Sequence, residues 1–409
     1  MTIRARALYI CYFGLREPLV QTQVLPYLRE LVARGIGMSL LTFEPSLKTS
    51  WDADSIAGWR RRLRVEGIEW HLLPYHKRPS LPATLYDIVV GAWRAAAIAR
   101  RGKIDLFHGR SYVGMAIGAL AKRLTGAKLI FDVRGLLAEE YVDSGNWPAG
   151  GMLYRLTKAA ERWLDRAADG FVVLTDRARE TRYPEGGSGR PVEVIPCCVD
   201  PERFAAAVAR DRDAIRRELG LEGRRVFVYL GALGGYYLIR ETAELLAAAR
   251  EQDPHTYALV LTQGLPAPMT AELQRLGFSN DDYRVLRVAP EDVPTYLRAA
   301  DIALALIRPS FARRSMSPTK FAEYLAAGLP VIASAGTGDL DVHIREGRAG
   351  VLLKTFDHAA YLDAFRVIEE LMSDPGQPER CRAEARARYD LHTIGGERYR
   401  RLYAAVLGP

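Results

Sequence analysis

Short apolar runs alternate with amphipathic helical stretches along almost the whole chain, and this alternation constrains the fold more than any other feature. Ala7–Phe13, Met38–Phe43, Ile68–Leu73, Leu106–His108, Lys128–Val133 and Phe171–Thr175 read as strands. Between them the periodicity predicts helices over Val24–Arg34, about Tyr86–Arg101, the stretch after Gly114, and Leu153–Ala168. The first of these stops at Gly35, where a glycine suits a helix C-terminus. The second half repeats the logic, with strands at Val226–Leu230, Tyr257–Thr262, Tyr283–Val288, Ile302–Ile307 and Val331–Ser334. Its helices run to about Arg250 and over Ala271–Leu276, Val293–Ala300 and Thr319–Ala327. Strand–helix–strand units of this kind build parallel sheets covered on both faces. A chain of 409 residues is too long for one such unit. The expected fold is therefore α/β, with two doubly wound domains facing one another across a cleft. Tyr183–Arg190, rich in Gly, Pro and Ser, is the expected linker, which gives domains over 1–190 and 191–390. Ligands of such sheets bind at the carboxyl ends of the strands, where strand order reverses.

Several function classes are disfavoured. No apolar stretch approaches the roughly 18 residues of a membrane-spanning helix. Arg4 and Arg6 precede an apolar run, but Gly14, Arg16 and Glu17 break it and no small-residue cleavage pattern follows. A buried strand and a cytoplasmic location are expected. Cys11, Cys197, Cys198 and Cys381 lack zinc-ligand spacing and read as buried thiols. The net charge of +8 suits an anionic partner. Without a zinc finger, a helix-turn-helix or an aromatic-interleaved basic strand, nucleic acid is the weakest choice. A phosphorylated substrate and an anionic membrane surface remain. Basic clusters at Arg60–Arg64, Lys77–Arg78 and Arg94–Lys103 all lie in the first half. They read either as solvated helix faces or as a patch that docks the first domain peripherally on the inner face of a membrane.

The stretch Ser315–Ile332 carries the chemistry. It reads as a loop, a short helix capped by Ser317 with Pro318 at its first position, a stop at Gly328 and a buried strand. The amides of such a helix start make an anion site, to which Thr319 and Lys320 add a hydroxyl and a charge. Glu323, one turn later, is placed to accept from a pair of hydroxyls beside the anion. A diphosphate joined to a ribose has this shape. A plain helix whose Glu323 favours the N-terminal dipole is the competing reading. Gly231, Gly234 and Gly235, with Tyr236 beside them, form a turn that lets backbone approach a diphosphate. Arg308, Arg313 and Arg314 supply further charge. His108, Arg110, Asp132 and Arg134 follow predicted strands, so they face either an acceptor or the core.

Glu323-Tyr-Leu-Ala-Ala-Gly-Leu-Pro-Val-Ile332 resembles the ribose-binding segment of the retaining glycosyltransferases of family four, which have the GT-B fold of two Rossmann-like domains. Leu8–Phe13 with Gly14, and Gln21–Leu28, resemble that family's acceptor-side opening. Val194–Phe204 resembles its interdomain crossing, and Leu391–Leu407 its closing helix, which implies that 391–409 packs back on the first domain. Two departures stand out. Ser315 occupies the place of the family's first Glu, and the turn Gly231–Tyr237 lacks the usual Arg and Lys. The family often has a His where Arg134 stands, so no His role is carried over.

The resemblance implies retaining transfer of a sugar from a nucleoside diphosphate, most commonly uridine diphosphate (UDP), to a hydroxyl of a glycan or glycolipid in surface-polysaccharide or glycoconjugate synthesis. The nucleotide sugar is a substrate and no cofactor is expected. Lys320 and Arg134 are the expected catalytic cations, neutralising the leaving diphosphate without a metal. Gly231, Gly234, Gly235, Tyr236, Arg308, Ser317, Thr319, Lys320 and Glu323 are the expected donor contacts. Gly14, Gln21, His108, Arg110, Asp132 and Arg134 are the expected acceptor contacts. A sugar-nucleotide epimerase of the same fold and a non-catalytic nucleotide-sugar-binding subunit are the alternatives, the latter favoured by Ser315.

Overall fold

The computed structural model describes residues 5–76 and 78–408, so Arg4 and Lys77 of the basic segments above lie outside it. The chain divides into two compact units, one running to Pro196 and resuming at Leu391, the other spanning Cys197–Asp390.

The first unit holds a seven-stranded parallel sheet in the order β3-β2-β1-β4-β5-β6-β7. Its strands are β1 (Arg6–Cys11), β2 (Gly37–Glu44), β3 (Ile68–Pro74), β4 (Leu106–Arg110), β5 (Lys128–Asp132), β6 (Gly170–Val173) and β7 (Val192–Val194). Most are buried on both faces, as parallel strands under two helical layers must be. The domain boundary falls later than the expected 190/191, because Val192–Val194 pairs with Phe171–Val173. This three-residue strand has Glu193 at its centre and shows no apolar run, so the sequence pattern hides it.

Helices α1 (Leu25–Ala33), α2 (Ala53–Val65), α3 (Ser80–Gly102), α4 (Ser111–Thr125) and α5 (Met152–Ala167) cover the sheet. Strand order reverses between β1 and β4, and right-handed crossovers then place α1 and α2 on one face and α3, α4 and α5 on the other. Arg29 of α1 and Glu66, just past α2, tie the first pair together. Ala95, Ile98, Met115, Ile117 and Leu164 join Leu8, Ile10 and Phe43 in the core under the second layer. A Cβ at Gly91 would stand 2.9 Å from the Phe43 ring and 3.0 Å from Ile117, so glycine lets α3 seat closely. The closing helix Glu397–Leu407 belongs to this unit, with Arg398 donating to the Val194 carbonyl at 2.6 Å and Arg401 paired with Glu193 at 2.7 Å.

The second unit holds a six-stranded parallel sheet in the order β10-β9-β8-β11-β12-β13. The strands are β8 (Arg225–Leu230), β9 (Thr256–Leu261), β10 (Tyr283–Leu286), β11 (Ile302–Ala305), β12 (Val331–Ser334) and β13 (Gly350–Leu353). Helix α6 (Thr319–Ala326) enters β12 through Gly328. Order reverses between β8 and β11, whose carboxyl ends lead to Gly231 and Arg308. The four cysteines are buried and form no disulfide.

Candidate active site

At the switch point of the second sheet, β8 ends in Gly231, whose φ of +125° is strained for any side-chain-bearing residue. A Cβ there would stand 3.0 Å from both Cε and Nζ of Lys320, so the glycine is also what admits the lysine head. Lys320 sits in the first turn of α6 and is only 5% exposed. Its Nζ lies 4.1 Å from the ring centroids of Tyr229 and Tyr237 and has no hydrogen-bond partner among the described residues. Buried ammonium groups are normally paired, and one without a hydrogen-bond partner costs free energy that a bound anion would recover. Burial pulls the Lys320 pKa from 10.5 down to about 7, against the pull of Glu323. Glu323 lies one turn on and is half-buried. Burial pushes its carboxyl from 4.5 up to about 7, against Arg203 and Lys320.

Tyr324 fixes this geometry. Its hydroxyl donates to the Leu304 carbonyl at 3.1 Å and accepts the Leu230 N–H at 2.7 Å, which clamps α6 to both switch-point strands. Tyr324, which clamps the helix, and Arg203, whose charge acts on Glu323, are groups that residue-by-residue reading passes over. Tyr324 looks like one more apolar position on an amphipathic helix. Arg203 joins Glu323 only through the fold.

Ser317 departs from expectation. The residue before α6 is Pro318, and no side chain caps the helix. Ser317 Oγ instead accepts the Cys197 N–H at 3.1 Å, because the buried amide of the crossing segment competes for it. Thr319 is half-buried at the first helical position. Ser315 is buried and its hydroxyl donates to the Ala312 carbonyl at 2.8 Å, so it does not stand in for the absent Glu. The glycine turn continues through Gly234 (φ +118°) and Gly235 (φ +66°). The Tyr236 carbonyl accepts the Arg308 N–H at 2.8 Å, which brings Arg308, exposed, beside the turn. Buried Arg313 stacks 4.1 Å over the Tyr236 ring, whereas Arg314 is exposed over Phe311.

These two displaced pKa values give the ligand-free protein a predicted pH signature. Lys320 is depressed, so between about 7 and 10.5 the unfolded chain holds more protons and stability rises with pH. Glu323 is raised, so between 4.5 and about 7 the folded chain holds more protons and stability falls as pH rises. The site's contribution to stability is thus lowest near pH 7. Thermal melts across pH should show a dip there that a Lys320→Met, Glu323→Gln double variant lacks. Parallel curves for the two proteins would refute the assignment.

In the first unit the expected acceptor residues form a buried polar cluster. Asp132 accepts from the Tyr9 hydroxyl at 3.0 Å and from Arg134 Nη2 at 2.7 Å. Arg134 Nη2 also reaches the Tyr399 hydroxyl at 2.9 Å. Arg110 lies 3.8 Å from Asp132 and donates to Gln23 Oε1 at 3.2 Å. His108 Nδ1 meets the Tyr403 hydroxyl at 2.9 Å, and its Nε2 stands 3.3 Å from Asp132. Burial, which alone raises a carboxyl, is overridden at Asp132 by Arg134, His108 and Arg110, which hold it well below the usual range. Burial pushes the His108 pKa down, against the pull of Asp132.

His108 and Asp132 have no solvent exposure and lie beneath Tyr399 and Tyr403 of the closing helix. The expectation that these two contact an acceptor is therefore corrected: they are core groups, and Asp132 holds Arg134 by a hydrogen bond. Gln21 donates to the Leu15 carbonyl at 2.6 Å, and Glu44 accepts the Leu15 N–H at 2.9 Å. A Cβ at Gly14 would stand 2.7 Å from Pro45 and 2.9 Å from Glu44. Gly14 and Gln21 thus shape the loop after β1, at the switch point of the first sheet.

Two parallel doubly wound sheets, with a buried lysine at a helix start beside the second switch point, define an α/β protein with two Rossmann-like units. Comparison with known proteins narrows this. Residues 20–198 match the model of the glycosyl transferase 4-like domain, and residues 224–372 match that of glycosyl transferases group 1. The chain is 29% identical to a D-inositol 3-phosphate glycosyltransferase of Geodermatophilus obscurus, over 84% of this chain and 77% of that protein. It is 28% identical to a 2-deoxystreptamine glucosyltransferase of Streptomyces kanamyceticus, over 78% and 82%. Among solved structures, sucrose-phosphate synthase from Thermosynechococcus elongatus matches with a TM-score of 0.73 at 18% identity, covering 98% of this chain and 100% of that one. Anabaena HepE in complex with UDP-glucose matches at 0.68 and 16% identity, covering 98% and 99%. The chain belongs to the family-four-like glycosyltransferases of the GT-B fold.

Proposed function

We propose that the second unit binds a nucleoside-diphosphate sugar at Gly231, Lys320 and Glu323, and that the protein transfers the sugar, with retention, to a hydroxyl of a glycan or glycolipid. The observation that carries this is the partnerless ammonium of Lys320, buried against a glycine turn at the start of an uncapped helix. A diphosphate supplies the charge that site lacks, and the α6 amides and Arg308 supplement Lys320. Glu323 is spaced to take the ribose hydroxyls. UDP is the favoured nucleotide, since the Anabaena structures of this fold hold UDP and UDP-glucose. The curated relatives act on an inositol phosphate and a deoxystreptamine, both ring polyols, which supports a hydroxyl acceptor. Cations and helix-start amides stabilise the departing diphosphate, so a chelator should leave turnover unchanged. A role in surface-polysaccharide or glycoconjugate assembly completes the reading.

Incubation with labelled UDP-sugars and a panel of polyol and lipid-linked acceptors tests the activity. Transfer with the anomeric configuration kept is expected. Binding without turnover would favour the non-catalytic reading that Ser315 suggests. Titration with UDP and uridine tests the site itself. Arg308→Ala should weaken UDP by up to about 5-fold, as for an exposed ion pair of up to about 1 kcal/mol, and leave uridine unaffected. Equal weakening of both ligands would mean that Arg308 serves the loop and not the diphosphate.

A further inference from the structure

Helix α3 buries one face and leaves another apolar face uncovered. Leu81, Leu85, Tyr86, Val89 and Trp93 are all exposed, Leu81 by 68% and Trp93 by 63%. At 3.6 residues per turn they fall within an arc of about 140° on one side of the helix. A large apolar stripe on a helix normally faces a core, and one left bare marks an interaction surface. The arc also contains exposed Arg100, with Arg94, Arg101 and Lys103 beside it. The helix has one acidic residue, Asp87, which is buried and accepts from the Tyr12 hydroxyl at 2.7 Å and the His76 N–H at 3.0 Å. No carboxylate on α3 therefore offsets its arginines.

A second apolar group lies at the same end of the same layer. Helix α5 opens with exposed Met152, Leu153 and Leu156, interleaved with exposed Arg155. Helices α3, α4 and α5 each lead down to the start of a parallel strand, so all begin at the carboxyl edge of the sheet. Helix α4 packs between the other two. The first turns of α3 and α5 thus flank the start of α4 at the edge where ligands of such sheets bind.

We propose that the outer face of α3, with the first turns of α5, lies in the interfacial region of an anionic lipid bilayer. Tyr86 and Trp93 have the apolar body and polar tip that suit the headgroup boundary. Arginines around an apolar arc that carries no exposed carboxylate fit acidic headgroups. They oppose a pairing of two copies through this face, because α3 of a second copy would offer the arginines no carboxylate. No helix among the described residues is long and apolar enough to cross a membrane, so the contact is peripheral. The basic segment Arg60–Arg64 lies on α2, in the other helical layer, and takes no part. The inference stands independently of the donor site.

Sedimentation of the full chain with phosphatidylcholine vesicles, with and without phosphatidylglycerol, is the test. Binding is expected with phosphatidylglycerol at low salt, with a loss of about tenfold or more in pure phosphatidylcholine or at high salt. A Leu85→Ser, Val89→Ser, Trp93→Ser variant changes only exposed positions and should melt as the parent does. It should bind phosphatidylglycerol vesicles at least about tenfold more weakly. A parent protein that stays in the supernatant at low salt with acidic vesicles overturns the proposal. So does a triple variant that sediments like the parent. Concentration-dependent dimers that the triple variant abolishes, without vesicle binding by the parent, would assign the face to a second copy instead.

Discussion

Replacing Lys320 with methionine should raise the melting temperature of the ligand-free protein at neutral pH while abolishing most of its affinity for nucleoside diphosphates. The ammonium is buried, lacks a hydrogen-bond partner, and has its pKa pulled from 10.5 to about 7. Every tenfold loss of proton affinity corresponds to about 1.4 kcal/mol, so keeping this ammonium in place costs the folded protein several kcal/mol. The rings of Tyr229 and Tyr237 return part of that cost through cation–π attraction. Methionine keeps the unbranched stem and offers sulfur to the same two rings, so the cavity stays filled. A net gain of about 1–4 kcal/mol is expected, the range seen when buried ionic groups give way to apolar ones of similar size. Loss of a charge-assisted contact to the diphosphate costs about 1.5–3 kcal/mol, or about 10- to 150-fold in affinity, with little change for the nucleoside. Calorimetric melting and UDP titration read the two effects separately. A variant that melts lower and binds UDP as well as the parent would remove Lys320 from the site.

That opposition between stability and binding is only half visible in the sequence. Lys320 and Glu323 stand in one contiguous stretch, and a helix start followed by Gly328 and a buried strand is a pattern that local spacing can express. The feature that isolates the ammonium comes from elsewhere. Gly231, Tyr229 and Tyr237 surround Lys320 only because β8 lies beside β11, and Tyr324 holds α6 against both strands. Ser317 suits a cap of α6 by type and position, yet a buried amide at Cys197 competes for the same oxygen.

His108 shows the same limit. Its place near the end of β4 suits an acceptor contact, but nothing local reveals that Tyr399 and Tyr403 arrive from the chain's end to cover it. On α3 the limit runs the other way. Leu81, Leu85, Val89 and Trp93 repeat every four residues, a spacing that reads as a core stripe, and only the packing of the opposite face shows that they point outward. The basic clusters at Arg60–Arg64 and Arg94–Lys103 read either as solvated helix faces or as a single patch of the first domain. The reversal of strand order between β1 and β4 separates them.

Glu323 carries the second large effect. Glu323→Ala should fold, because the side chain is only half-buried and anchors no backbone group in the hydrogen bonds of the site. It should bind UDP about 10- to 150-fold more weakly, the cost of about 1.5–3 kcal/mol for losing a charge-assisted acceptor. If the partner is the ribose, 2′-deoxy-UDP should bind the parent weakly and lose little further in the variant, since contact and hydroxyl are then two ends of one interaction. The pH profile sharpens the distinction. The carboxyl titrates near pH 7 in the ligand-free protein and accepts best when ionised, while Lys320 holds the diphosphate best when protonated. Affinity for UDP should therefore fall on both sides of neutrality, the acid side through Glu323 and the alkaline side through Lys320. Glu323→Gln keeps the shape and one acceptor oxygen but cannot ionise, so its profile should lose the acid limb and keep the alkaline one. A Glu323→Gln profile that superimposes on the parent's, with 2′-deoxy-UDP still discriminated, would show that the carboxylate only favours the α6 dipole and that the ribose is held by another group.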